Sequence, residues 1–133
     1  MRHLLWVGRE TLLSLHEISI ARFGGTLGMR DSGLLESALY RPQNAYAYGQ
    51  KDLFILASVL GAGIVKNHPF LDGNKRTGFL AAALFLESNG ESFQSTEEDV
   101  VLKTLALAAG AVSEADYAGW LRLSCRKKEK GMV

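Results

Sequence analysis

Two long apolar stretches dominate this chain, Leu53–Val65 and Phe79–Leu86, and the most polar stretch in its middle lies between them. The first is too long for an ordinary buried strand, and both are too short for a membrane span of about 18 or more apolar residues. Both therefore read as helices that are apolar nearly all round, which marks them as central elements. Asp52 is placed to cap the first, expected over Leu53 to Asn67, and Pro69 to end it. The second is expected from Asn74 to Ser88, closed by Asn89-Gly90. Two such helices joined by a loop of a few residues must run antiparallel, and every other element can pack around them.

The flanking segments supply those elements. Arg9 to Arg22 reads as a helix ended by Gly24-Gly25, with Leu12, Leu15 and Ser19 on one stripe. Asp31-Ser32-Gly33 opens a short helix from Leu34 to Tyr40, which Arg41-Pro42 should stop. Asn44 to Gln50 alternates weakly and suggests a short strand or hairpin. Ser95-Thr96-Glu97-Glu98 reads as a capping box opening a helix to Ala109, and Ser113-Glu114-Ala115-Asp116 opens a last helix to Arg122. The expectation is an all-α domain over residues 1–125 with one short β flap, followed by a disordered basic tail, 126–133.

Composition narrows the function. Fifteen Lys and Arg against 14 Asp and Glu leave a net charge of +1, without the basic face of a dedicated nucleic-acid binder. No signal peptide or membrane span is evident, and the single cysteine, Cys125, forbids an internal disulfide. These features suit a cytoplasmic protein.

Chemistry concentrates between the central helices, where His68, Asp72, Asn74, Lys75 and Arg76 fall within nine positions. A helix beginning at Asn74 directs unpaired N–H groups and the positive end of its dipole outward, which makes an anion site. Gly73 allows close approach to the backbone. Lys75 and Arg76 add full charges, and arginine's planar fork matches two phosphate oxygens. Cations in a first helical turn are unfavourable unless an anion joins them. Asp72 suits Mg²⁺ held against phosphate. His68 is of the residue type suited to general-base work near neutral pH, and Phe70 is expected to point inward and anchor the loop. Each residue also has a plain structural reading: Asp72-Gly73 as a turn, Asn74 as a cap, Lys75 and Arg76 as a solvated turn. His3 and His16 are assigned to structure. The run Gly73-Asn74-Lys75-Arg76-Thr77 is not a P-loop, since it lacks that pattern's first glycine and its direct Gly-Lys-Thr. A transition-metal site would want more ligands than His68 and Asp72.

The stretch His68-Pro69-Phe70-Leu71-Asp72-Gly73-Asn74-Lys75-Arg76-Thr77 resembles the signature of the Fic/Doc superfamily, His-Pro-Phe-x-Asp/Glu-Gly-Asn-Gly/Lys-Arg. Arg30 to Leu39 followed by Arg41-Pro42 is similar to the N-terminal stretch of Doc-type toxins. The resemblance implies a compact Fic/Doc-like helical bundle that uses ATP and Mg²⁺. His68 would deprotonate a target hydroxyl and Asp72 would hold the metal. Gly73 and Asn74 would form the anion hole, and Lys75, Arg76 and, at one remove, Lys66 would bind phosphate. Tyr46, Ala47 and Tyr48 fall near the flap that, in Fic proteins, pairs with an extended target segment as an added strand. Fic adenylyltransferases carry a second glycine where this chain has Lys75, and a second arginine where it has Phe79. Both differences resemble Doc, in which ATP binds the other way round and the γ-phosphate moves. The resemblance therefore implies a toxin that phosphorylates a Ser/Thr hydroxyl of a protein, with elongation factor Tu as the known type of target. The Fic inhibitory motif Ser/Thr-x-x-x-Glu-Gly/Asn is absent, so the implied inhibitor is a separate Phd-like antitoxin chain. Adenylyl transfer, or a catalytically silent antitoxin-binding module, remain as alternative readings.

Overall fold

The two apolar stretches form α3 (Leu53–Asn67) and α4 (Asn74–Ser88) of a computed structural model that describes residues 3–129. They are the antiparallel pair at the centre of a bundle completed by α1 (Arg9–Phe23), α2 (Ser32–Ala47), α5 (Glu97–Ala108) and α6 (Glu114–Leu123). Strands β1 (Glu91–Phe93) and β2 (Cys125–Lys127) pair antiparallel beside them. Ten of the 15 residues of α3 are buried, so it has no solvent face to speak of and behaves as the axis of the core.

Small residues set how closely its neighbours approach. A Cβ on Gly78 of α4 would meet Val65 Cγ2 at 2.6 Å and the Gly61 carbonyl oxygen at 2.9 Å. Alanine at that crossing would push the two central helices apart, and the loop joining them would move with them. On the other side a Cβ on Gly63 would come within 3.2 Å of Ala38 Cβ of α2. The helix-propensity cost of these glycines, about 1 kcal/mol each, is the cost of tight packing.

Four local expectations are overturned. Pro42 does not stop α2, which runs on to Ala47 with Pro42 buried inside it. A mid-helix proline costs about 3 kcal/mol, and tertiary packing offsets it. Leu39 and Pro42 are buried, Tyr46 meets Trp6 edge-on with ring centroids 5.6 Å apart, and Arg41 donates to the Val59 carbonyl of α3. Consequently Tyr46 and Ala47 are helical and Tyr48 caps the helix, so the strand expected over Asn44–Gln50 does not form there. The sheet lies elsewhere, because part of the basic segment expected to be disordered is structured. Arg126 and Lys127 belong to β2, with Glu91 opposite Lys127, and Lys128 donates to the Gly90 carbonyl and sits 3.3 Å from Glu87. Residues 130–133 lie outside the described residues. The fourth correction is small: α5 is capped by Thr96, whose hydroxyl accepts from the Asp99 N–H, one position beyond the box read at Ser95 and Glu98. Ser113 and Asp116 do form a reciprocal box on α6.

Candidate active site

The loop between α3 and α4 is held from below by its own asparagine. Asn74 is buried, and its amide spans the turn: Oδ1 accepts from the Phe70 N–H at 3.0 Å and Nδ2 donates to the Phe70 carbonyl at 2.9 Å. That pairing fixes which end of the amide is the donor. The same Nδ2 lies 3.5 Å from His68 Nδ1, at the outer limit of a hydrogen bond. The imidazole is thus oriented without being tightly bound. Because Asn74's side chain is used in the clamp, Gly73 serves as the N-cap (φ 76°), and no side chain caps α4. The N–H groups of its first turn have no intrahelical acceptor by construction, and no acidic residue accompanies them.

The loop is held from above by segments distant in sequence. Phe70 is buried and stacks on His16 of α1, centroids 3.8 Å apart and planes 6° from parallel. His16 Nε2 lies 2.8 Å from the Asp72 carbonyl oxygen, so it donates there and the ring braces the loop. Arg30 reaches across to the end of α3. Its Nε donates to the His68 carbonyl at 2.6 Å and its Nη2 to the Asn67 carbonyl at 2.8 Å. Cations belong at helix C-termini, where carbonyls are left without donors. Here the cation also secures a strained residue, since His68 is the one non-glycine of positive φ (52°) among the described residues. The backbone N–H groups of Arg30 and Asp31 both donate to the Pro69 carbonyl. Asp72 carries one N–H on each carboxylate oxygen, Gly73 at 2.9 Å and Thr26 at 3.1 Å, and a Cβ on Gly25 would strike it at 2.8 Å. Arg76 lies with its guanidinium carbon 3.7 Å from the centre of the Phe23 ring.

These groups open onto one cavity of about 1060 Å³. His68, Asp72, Gly73, Asn74, Lys75 and Arg76 line it, together with apolar residues that include Phe79, Phe93, Val100 and Leu105 and polar ones that include Glu97 and Thr104. Neither Lys75 nor Arg76 has a carboxylate partner among the described residues, whereas Arg9, Arg41, Lys66, Arg122 and Lys128 each have one. Phe79, one turn beyond Arg76, packs against Phe93 and Trp120. An aromatic wall therefore stands where a second cation would extend the charged end.

Lys66 and Tyr46–Tyr48 are not among the residues that line this cavity. The Lys66 ammonium lies 3.9 Å from Glu114, and Tyr46 receives the Lys51 ammonium 3.8 Å above its ring. No cluster of three or more His, Cys, Asp or Glu residues able to hold a metal occurs among the described residues. Mg²⁺ does not need one, because it is commonly bound by one or two carboxylates together with substrate phosphates and water. The exposed Asp72 carboxylate, each oxygen with one N–H and lone pairs to spare, fits that mode. Cys125 is remote from such chemistry, its thiol pushed up to about 11 by burial and then by Glu91 and Glu87. No helix among the described residues is long and apolar enough to cross a membrane.

His16, Phe23 and Arg30 were not among the site residues read from the sequence. Arg30 stands at the head of a recognised motif stretch, which was the one available signal. His16 and Phe23 sit at the apolar positions of an amphipathic helix and carry no signal apart from the fold.

Similarity to known proteins extends over most of the chain. Residues 6–86 match the family model described as the Fic/DOC family. The chain is 37% identical over 123 residues to "Protein kinase doc" of Escherichia phage P1, covering 92% of this chain and 94% of that protein. It is 42% identical over 88 residues to "Toxin Doc" of Mycolicibacterium smegmatis, covering 64% of this chain and 65% of that one.

Proposed function

The chain belongs to the Fic/DOC family, and we propose that it is a toxin of the Doc type, a protein kinase that moves the γ-phosphate of ATP to a Ser or Thr hydroxyl of another protein. The observation that carries this reading is the cavity's polar end. An uncapped helix N-terminus with two unpaired cations faces a histidine held by a backbone brace. In this reading the first-turn N–H groups of α4, Lys75 and Arg76 hold phosphate oxygens. Asp72 holds Mg²⁺, which neutralises charge on the phosphates when bound. His68 accepts the hydroxyl proton as the oxygen forms its bond to phosphorus, and the bond to the leaving ADP oxygen breaks. Phosphoryl transfer asks mainly for positioning and charge neutralisation, and those are what a rigidly clamped loop supplies. Lys66 would join only after releasing Glu114, an exposed pair that costs little to break. Tyr46–Tyr48 would meet a target as the end of a helix and not as a strand edge.

Phe79 and Lys75 favour γ-phosphoryl over adenylyl transfer. A second arginine and a second glycine at those positions would support the opposite orientation of ATP. Incubation with a cell extract and ATP labelled at the α or the γ position separates the two. Label retained on protein from γ alone is expected; label from α would establish adenylyl transfer instead. The same reaction followed by mass spectrometry identifies the target, for which we propose elongation factor Tu. A separate Phd-like antitoxin and a cytoplasmic site of action complete the proposal. A His68→Ala, Arg76→Ala double variant that still arrests growth would sink catalysis as the basis of toxicity.

A further inference from the structure

Arg76 is held by an aromatic ring and by nothing ionic. Its guanidinium lies 3.7 Å from the centre of the Phe23 ring, while no carboxylate pairs with it among the described residues. Phe23 is the last residue of α1, and Gly24 ends the helix behind it. Phe23 is 46% exposed and lines the cavity, so core packing alone does not account for a large apolar side chain at that place.

We infer that Phe23 is a positioning residue for Arg76, a platform that presents the guanidinium edge to the phosphate end of the cavity; this rests on the ATP reading above. Arginine stacks through its π face and donates hydrogen bonds in its plane, so the two uses do not compete. An unsupported arginine on a long stem would lose rotamer freedom when it grips phosphate, and a side chain already stacked loses less. The same turn manages the opposite charge of the loop. Just beyond Phe23, the Thr26 N–H donates to Asp72 Oδ2 at 3.1 Å, and Gly25 lies against that carboxylate. The end of α1 thus sets both the cation and the anion of the site.

Titration calorimetry with ATP and Mg²⁺ on the whole chain tests this, with thermal melts to confirm that each variant folds. Phe23→Leu, which keeps apolar bulk without a π face, should weaken ATP binding roughly two- to fivefold, the range of an exposed cation–π contact. Phe23→Tyr should bind like the parent. In an Arg76→Ala background, Phe23→Leu should have no further effect, because the ring acts only through the guanidinium. Unchanged or tighter binding by Phe23→Leu overturns the inference, the second because it means the ring draws Arg76 away from the site. Equal loss with and without Arg76 also overturns it, since the ring would then touch the nucleotide itself. If Arg76→Ala alone leaves ATP affinity intact, the phosphate role of Arg76 fails, and that failure is distinct from one confined to Phe23.

Discussion

Helices α4 and α5 both present their N-termini beside the same cavity, and they are built in opposite ways. Thr96 caps α5 by accepting from the Asp99 N–H, and Glu97, Glu98 and Asp99 fill its first turn, so its dipole is satisfied within the chain. At α4 the cap is a glycine, no side chain accepts from the first turn, no acid lies in it, and Lys75 and Arg76 take the places where acids would stabilise. The remaining helices side with α5: Asp31, Asp52 and Ser113 cap α2, α3 and α6 through their side chains, and α1 has Glu10 in its first turn. Among the described helices, α4 alone has neither device. Chain stability would favour capping it. Its buried Asn74, the residue type that ordinarily caps a helix, instead ties the loop to Phe70. The contrast identifies what a bound anion would contribute: the capping acceptor or first-turn acid that every other described helix finds in its own sequence.

The comparison breaks most sharply in activity. Arg76→Ala should lower the rate of phosphoryl transfer by on the order of 10²–10³-fold, as loss of a donor to developing charge does, and leave the melting temperature nearly unchanged. His68→Ala should lose no more than that, because a dissociative transition state asks little of the base. Single-turnover rates on the same target check the order, and a much larger loss at His68 would show that proton removal dominates.

Next in size is a capped helix losing its cap. Asp52 accepts from the Phe54 and Ile55 N–H groups and pairs with Arg122. Burial raises its pKa, but Arg122 and the two N–H groups together outweigh that and hold it below its ordinary 3.8. A carboxylate so lowered adds stability above its unfolded pKa, and that stability is lost as pH falls through the folded one. Asp52→Ala should therefore cost about 1–2 kcal/mol at pH 7, and the difference from the parent should shrink below pH 3.8. Urea melts at several pH values measure it; a gap constant down to pH 2 would contradict the assignment. Thr96→Ala should cost about 1 kcal/mol and leave ATP affinity as it was, by calorimetry. A loss of binding there would mean that the two N-termini are coupled.

What the sequence discloses follows the same division. The spans of α3 and α4 were legible residue by residue because their signals are local: an unbroken apolar run, Asp52 before it, and a proline and glycines at the ends. The polar loop could be read as a candidate phosphate site for the same reason, since helix-end physics concerns neighbours in the chain. Pro42 misled because its local cost is real and only the packing of α2 on α3 offsets it. The contacts that brace the loop could not be read, even where a motif stretch drew attention to Arg30. His16 meets Asp72 across 56 positions and Arg30 meets His68 across 38, and no spacing rule joins residues that only the fold brings together. Hence the polar residues of the loop were visible before the structure, and the contacts that hold them in place were not.

The finest test makes α4 resemble α5. Lys75 stands in the first turn of α4 with no carboxylate partner among the described residues. Lys75→Glu removes an unfavourable charge from the positive end of the dipole and adds a favourable one, so the fold should gain about 0.5–1 kcal/mol. The gain should fade with added salt, as exposed electrostatics does. ATP binding should fall sharply at the same time, because the new carboxylate occupies the field meant for phosphate. Stabilisation together with loss of binding, read from a melt and a titration of the same sample, is the signature of a helix end left incomplete for a ligand. If the variant were destabilised instead, the cation would be serving the fold, and the contrast between the two helices would have another cause.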